Sequence, residues 1–320
     1  MKHKLAHQGV ALILGAAMAM SIFISACGGS SSSSAPSGST PATGNTPSAP
    51  STLDTPGNFN CVSGIITAAG STALAPLVMA VAKDYQAKCP SASIIVNLGG
   101  SDVGLMNVES GSIQIGNSDV FKKAGQDDLV DHQVAVVVFT LVVNPMVTGV
   151  TNLTTPQIKG IFSGSITNWN QVGGPNLPIV VISRPTTSGT RATFQTYILG
   201  GPETIQGPAS LVTDSTATVV TEINQTAGAI GYVTVGAAKS ANLTTVNIDG
   251  NTSDPTLVEN NIYKFWNIEH MYTKGPASGL AQAFINYILS DQGKQEAASL
   301  SFIAITDMQQ TALQAHQPTS

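Results

Sequence analysis

Residues 183–191 read SRPTTSGTR, which places two arginines, five hydroxyl side chains and a glycine in nine positions of a chain that is only 10% charged. The following ATFQTYIL has the pattern of a helix. Hydroxyls and a glycine at a helix start leave backbone N–H groups free at the positive end of the dipole, which suits a small anion. The same residues also suit an ordinary helix cap. Three more turns share this chemistry: AAGSTA (68–73), GGSDVG (99–104) and GNSDV (116–120). Each follows a predicted strand and combines Gly or a small residue with Ser, Thr or Asp. One such turn reads as a cap, whereas four turns from two domains that could face each other point to a binding cleft.

The elements that must position these turns alternate between strand and helix. GIITAAGST, ASIIVNLGGSD and IQIGNSDV read as strands ending in polar residues, separated by the helices ALAPLVMAVAKDYQAK and VGLMNVESG. KKAGQDDLVD is expected to be helical or a turn, and HQVAVVVFTLVVNP a long apolar strand. After Asn144-Pro145 the rhythm restarts with the helix TTPQIKGIFSG, in which Thr precedes Pro at the helix start. The strand PIVVISRP, the helices GTRATFQTYIL and TATVVTEINQT, the strand GAIGYVTV and one closing helix, GLAQAFINYILSDQGKQEAASL, follow. This rhythm predicts two α/β domains whose strand ends carry the ligand chemistry. A first crossover is expected around 134–144 and a second after GAIGYV.

The first residues are targeting sequence rather than fold. Lys2 and Lys4 form a basic start, and Val10 to Ile24 is an apolar run shorter than the ~20 residues of a spanning helix. The run ends in Ile24-Ser25-Ala26-Cys27, which resembles a bacterial lipobox. That resemblance implies cleavage before Cys27 and a lipid on its thiol, each buried methylene contributing ~0.8 kcal/mol of membrane binding. The following Ser, Gly, Thr, Pro and Ala stretch cannot bury enough apolar surface to order itself, and reads as a tether.

Removing residues 1–26 takes away Lys2 and Lys4 and leaves 11 basic against 18 acidic residues, a net charge of −7. That balance argues against nucleic acid as a partner. It also requires an anion site to be local and built largely from dipoles. Two cysteines remain, Cys61 and Cys89, either disulfide-bonded or two unpaired buried thiols, and export favours the bond. With only His132, His270 and His316 beside them, the inventory predicts no metal site and no cofactor. A nucleophilic role for Ser188 or Ser101 lacks a G-x-S-x-G elbow and a histidine motif, so no catalytic residue is assigned and the chain is not expected to be an enzyme.

Several phrases carry a family resemblance from about Gly64 to the C-terminal helix: AAGSTALAPL, GGSDVG, IGNSDV, LTTPQIKGIFSGSITNWNQVGG, SRPTTSGTRATF, GAIGYV and SDQGKQ. Together they resemble the phosphate-binding proteins that serve the high-affinity bacterial phosphate ABC transporter. The resemblance implies a type II periplasmic-binding-protein fold, in which two α/β lobes are joined by two crossover strands with the ligand cleft between them. It divides the chain into a lipoprotein signal peptide (1–26), a lipidated cysteine with a disordered tether (27–60), lobe I (61–140 and 237–320) and lobe II (141–236). The implied job is to capture inorganic phosphate outside the cytoplasmic membrane, in the periplasm or on the membrane's outer face, and to deliver it to ABC permease subunits.

Carried over residue by residue, Thr72 and the backbone of Ala73 would donate to the anion from the first turn, and Ser101 from the second. Asp119 would contact it from the third, and Arg184, Ser188, Gly189 and Thr190 would close on it from the other lobe. Asp119 is the informative member. A carboxylate repels an anion unless the anion has a proton to give, which phosphate near neutral pH has and sulfate lacks. A site built on a required hydrogen bond discriminates by ~10⁴–10⁵. The other reading of Asp119 is a cap of the next helix, and the other reading of the cleft is a site for sulfate, molybdate or tungstate. Arg191, at the positive end of its helix, is expected to pair with an acid such as Asp102 or Asp214 rather than to reach the ligand's edge.

Overall fold

The computed structural model describes residues 61–204, 210–213 and 215–318. The expected signal peptide, the lipidation of Cys27, the tether and Asp214 lie outside the described residues. The described residues belong to one compact unit. Its first section runs β1 (Gly64–Gly70), α1 (Ala75–Lys88), β2 (Ala92–Leu98), α2 (Ser101–Glu109), β3 (Ile115–Ser118) and β4 (Leu129–Val143). β1 pairs in parallel with both β2 and β3. Of KKAGQDDLVD (122–131), expected to be helical or a turn, residues 122–128 are turn and coil, and Leu129–Asp131 already belong to β4. α1 forms because Leu77, Val78, Val81 and Tyr85 recur on its buried face. Full burial contributes roughly 1.5–3 kcal/mol for side chains of this size. A disulfide joins Cys61 to Cys89 across this unit, with Cα atoms 5.3 Å apart.

The second section comprises β5 (Asn152–Leu153), α3 (Thr155–Ser163), β6 (Val180–Ser183), α4 (Gly189–Phe194), β7 (Ser210–Val212), α5 (Thr216–Gln225), β8 (Ala229–Thr234), α6 (Val235–Ser240) and β9 (Thr244–Ile248). Thr154 caps α3 in a reciprocal capping box with Gln157. The helix expected over GTRATFQTYIL changes character at Gln195, where α4 gives way to a π-helical turn, Gln195–Leu199, closed by Gly200. β6 pairs in parallel with β7 and β8. The last section is α7 (Pro255–Glu259), β10 (Trp266–Lys274), α8 (Gly279–Ile288), α9 (Asp291–Ser299) and α10 (Gln310–Ala315). The single closing helix expected from sequence is two helices, because Ser290 starts a new one by accepting from the Gly293 N–H.

One mixed sheet connects these sections in the order β2-β1-β3-β10-β4-β8-β6-β7. β4, 15 residues long, belongs to both halves: Leu129–Val138 pair with β10, and Phe139–Val143 with β8, both antiparallel. β9 pairs with Leu141–Val143 of β4 and with β5, so residues 244–248 lie with the partners of the second half. The return to the first half comes at β10, not directly after GAIGYV. β10 is a central strand whose first eight residues are buried, and its near-continuous burial explains why its sequence shows no alternation.

Candidate functional site

All four turns singled out from sequence meet at the ends of β1, β2, β3 and β6. In the first turn, the Ser71 hydroxyl donates to Asp119 Oδ1 and accepts from the N–H groups of Ala73 (3.0 Å) and Leu74 (2.9 Å). The Ala73 N–H, expected to face an anion, is therefore engaged within its own turn. Thr72 Oγ1 accepts from Arg184 Nη2 at 3.0 Å and from the Thr216 N–H at 3.3 Å, and lies 3.1 Å from the Thr216 hydroxyl. In the second turn, Ser101 Oγ accepts from the Asp119 N–H at 3.0 Å. Gly100, at φ +88°, leads into α2 in a conformation that side chains rarely adopt, and a Cβ there would lie 2.9 Å from the Thr187 carbonyl oxygen.

The fourth turn closes on the other three. The Asp102 N–H donates to the Thr187 carbonyl at 3.2 Å, and Thr190 Oγ1 donates to Asp119 Oδ2 at 2.9 Å. Ser188 caps α4 by accepting from the Arg191 N–H at 3.3 Å. A Cβ on Gly189 would sit 2.2 Å from Ser101 Oγ, so only glycine lets this backbone approach the second and third turns so closely. Arg184 is 1% exposed and its Nε donates to the Thr213 carbonyl at 3.2 Å. Thr72, Ser101, Asp119, Arg184, Ser188, Gly189 and Thr190 are thus brought into one buried, hydrogen-bonded neighbourhood.

Electrostatically, the neighbourhood combines one guanidinium with hydroxyls, the starts of α2 and α4 and a buried carboxyl. Burial pushes the Asp119 carboxyl above its ordinary range, opposed by the bonds from Ser71 and Thr190 and by the Arg184 charge. Such a set can bind a tetrahedral oxyanion, offering donors to its oxygens and, at Asp119, an acceptor for a proton it carries. Among the described residues no group of three or more His, Cys, Asp or Glu is placed to hold a metal ion, and no helix is long and apolar enough to cross a membrane.

Arg191 points away from this neighbourhood. Its Nε lies 3.0 Å from Glu203 Oε2, and its Nη1 donates to the Arg184 carbonyl at 2.7 Å. The acid is Glu203 rather than Asp102, which pairs with Lys123 at 2.6 Å. Sequence reasoning missed Glu203 because the contact joins a helix to a loop twelve residues on, with no periodic signal. Ser71, Thr213, Thr216 and Glu269 were also missed. Ser71 lay inside a recognised turn, where the adjacent threonine drew the reading. Glu269 did leave a signal: an acid inside WNIEHMYT, an otherwise apolar and aromatic strand pattern, is a residue that needs a reason.

A family model described as a PBP superfamily domain matches residues 35–292. The phosphate-binding protein PstS of Bacillus subtilis is 42% identical over 254 residues, spanning 78% of this chain and 83% of that protein. Among solved structures, a putative phosphate ABC transporter substrate-binding protein from Clostridium perfringens, determined with bound phosphate, is 30% identical. It superposes with a TM-score of 0.71 over 76% of this chain and 100% of its own. An ABC-type phosphate transport receptor from Vibrio cholerae is 25% identical, with a TM-score of 0.61 over 74% of this chain and 99% of its own. Four converging turns on a sheet shared by two halves, with these relatives, place the chain in its family: it belongs to the PBP superfamily and, within it, to the PstS family of phosphate-binding proteins.

Proposed function

We propose that the chain captures inorganic phosphate and delivers it to the permease of an ABC transporter. The observation that carries this reading is the position of Asp119, a 2%-exposed carboxyl held by Ser71 on one oxygen and by Thr190 on the other. An acid at the centre of an anion site is repulsive toward a fully deprotonated oxyanion and attractive toward one that keeps a proton. Hydrogen phosphate fits that requirement, and sulfate does not. The names of the B. subtilis and C. perfringens relatives support the same ligand.

In this reading Thr72 and Ser101 face the anion from lobe I, and Arg184, Ser188, Gly189 and Thr190 from lobe II. Arg184 supplies planar, charge-assisted bonds to two phosphate oxygens. Ser188, Gly189 and Thr190 supply the rim of donors at the start of α4. Lobe II is assigned to residues from 141 through β9, with β4 and β10 as the strands about which the lobes close. Ligand contacts to both lobes then draw the closed form from an open one. Export, lipid anchoring at Cys27 and the tether of residues 27–60 would hold the body near its permease. The chain has no catalytic role in this scheme.

Calorimetric titration of the purified protein with phosphate and with sulfate tests the reading. Micromolar or tighter phosphate binding with no response to sulfate is expected. Equal binding of sulfate, molybdate or tungstate would replace phosphate by the broader oxyanion reading, and hydrolysis of a phosphoester would sink both.

A further inference from the structure

Beside Asp119 lies a second acid that the reading above does not use. β10 runs antiparallel to β3 with Tyr272 opposite Gly116, Met271 opposite Asn117 and His270 opposite Ser118. One step further along the same register brings Glu269 opposite Asp119. On its other edge β10 shifts register against β4 between Glu269 and His270, where Glu269 faces Ala135 and His270 faces Gln133. Such an irregularity re-aims side chains and recurs beside functional sites. Glu269 is 0% exposed, and among the described residues no N–H or hydroxyl reaches either of its carboxyl oxygens. The group it meets is the carboxyl of Asp119.

Two buried carboxyls side by side cannot both be ionised, so the pair holds a proton. The surroundings decide where. Asp119 receives hydroxyl bonds from Ser71 and Thr190 and feels the charge of Arg184, all of which favour its ionised form. Glu269 has no such support: burial, and after it the charge of Asp119, push its carboxyl well above the ordinary range. Its neighbour His270 is turned to Asp131, at 2.8 Å from Nδ1 to the carboxylate.

We propose that Glu269 is a positioning residue of the anion site, carrying the pair's proton and donating it to the Asp119 carboxylate so that Asp119 stays an acceptor aimed at the ligand. The count of acceptor sites gives this role a consequence. A carboxylate offers about four lone-pair positions. Ser71, Thr190 and Glu269 occupy three, which leaves one for a single O–H of the ligand. Without Glu269, Asp119 has an unfilled position and a weaker hold on its ionised form. A protonated Asp119 would donate instead of accept, and the preference for a proton-bearing anion would fall. The inference rests on the oxyanion reading of the site for its consequence, but the location of the proton can be measured apart from any ligand.

Infrared spectra of the full chain, wild type and two variants, read that location directly. The C=O stretch of a protonated carboxyl is expected in the wild type at neutral pH, to vanish in Glu269→Gln and to persist in Asp119→Asn. Absence of the band in the wild type, or its loss in Asp119→Asn with retention in Glu269→Gln, overturns the proposal. Calorimetry then reads the consequence. Glu269→Met, which keeps the bulk and removes the donor, is expected to weaken phosphate binding by about tenfold, the scale of one lost hydrogen bond. It should also narrow the gap to sulfate. Glu269→Gln, whose amide can still donate, is expected to recover most of that loss. Wild-type affinity and selectivity in Glu269→Met, or equal losses in both variants, would also overturn it. A wild type that ignores phosphate but shows the expected band pattern would strike the functional reading and leave the shared proton standing.

Discussion

Two buried acid–arginine neighbourhoods lie seven residues apart on the segment from β6 into α4, and they are built for different ends. Around Arg191 the acid is satisfied by the protein: Glu203 meets the guanidinium at 3.0 Å and accepts from the Tyr232 hydroxyl at 3.2 Å. On the Arg184 side lies Asp119, whose carboxyl is held by the hydroxyls of Ser71 and Thr190. Among its contacts, Arg184 donates to the Thr72 hydroxyl and to the Thr213 carbonyl. A direct ion pair spends its charge on the fold. Hydroxyls that flank a carboxyl leave it hydrogen-bonding capacity that a ligand can use.

The sharpest way to break this contrast is Asp119→Asn. Its selectivity for phosphate over sulfate is expected to fall by up to ~10⁴, with a smaller loss of phosphate affinity, as read by competition calorimetry. Unchanged selectivity would remove Asp119 from the role given to it. Next in size is Arg191→Met, which strands a buried acid and is expected to lower unfolding stability by about 3–5 kcal/mol in urea titrations. Phosphate binding by the folded protein should change little. A second substitution, Glu203→Gln, should recover part of the loss, because the stranded charge goes with it. Weakened binding with intact stability would show that the two neighbourhoods are not distinct.

Arg184→Lys comes third. A lysine cannot reproduce the planar fork, and the lost charge-assisted bonding is expected to weaken phosphate binding by roughly 10- to 100-fold with less effect on folding than Arg191→Met. The smallest effect is one of pH. His316 is stacked between Trp266 and Tyr197, and burial together with the Lys264 charge lowers its pKa from 6.5 to about 3. The unfolded chain therefore takes up a proton that the folded one refuses. Stability should fall as pH drops below 6.5 toward 3, by at most about 1.4 kcal/mol per unit. His316→Phe should flatten that limb. The raised carboxyls of Glu203 and Glu269 act with the opposite sign, losing stability as pH rises above 4.5. Thermal melts across pH thus separate the histidine from the acids.

Much of the architecture was legible because local signals and tertiary demands agreed. α1 shows helical periodicity, α3 its capping box, and β4 a run of valines and leucines too long for a loop. The failures share a cause. β10 is buried on both faces, so WNIEHMYTK has no alternation by which to recognise it. The closing helix was read as one because Leu289-Ser290 contains neither Gly nor Pro, although Ser290 is a good cap. The second crossover was expected too early because β9 makes its pairings with β4 and β5, which lie about a hundred residues behind it.

The sequence alone determined the chemistry of the turns, since small residues, hydroxyls and an aspartate at strand ends are local properties of the chain. It also determined that charge would be scarce, so that the few buried ions had to be arranged with care. Only the tertiary structure decided which acid meets which arginine, and that Ser71 and Thr190, 119 residues apart, grip the same carboxyl. Only it brought Glu269 beside Asp119. These pairings depend on strand order and register, which no short stretch of sequence encodes, because the partners are joined by the sheet and not by the chain.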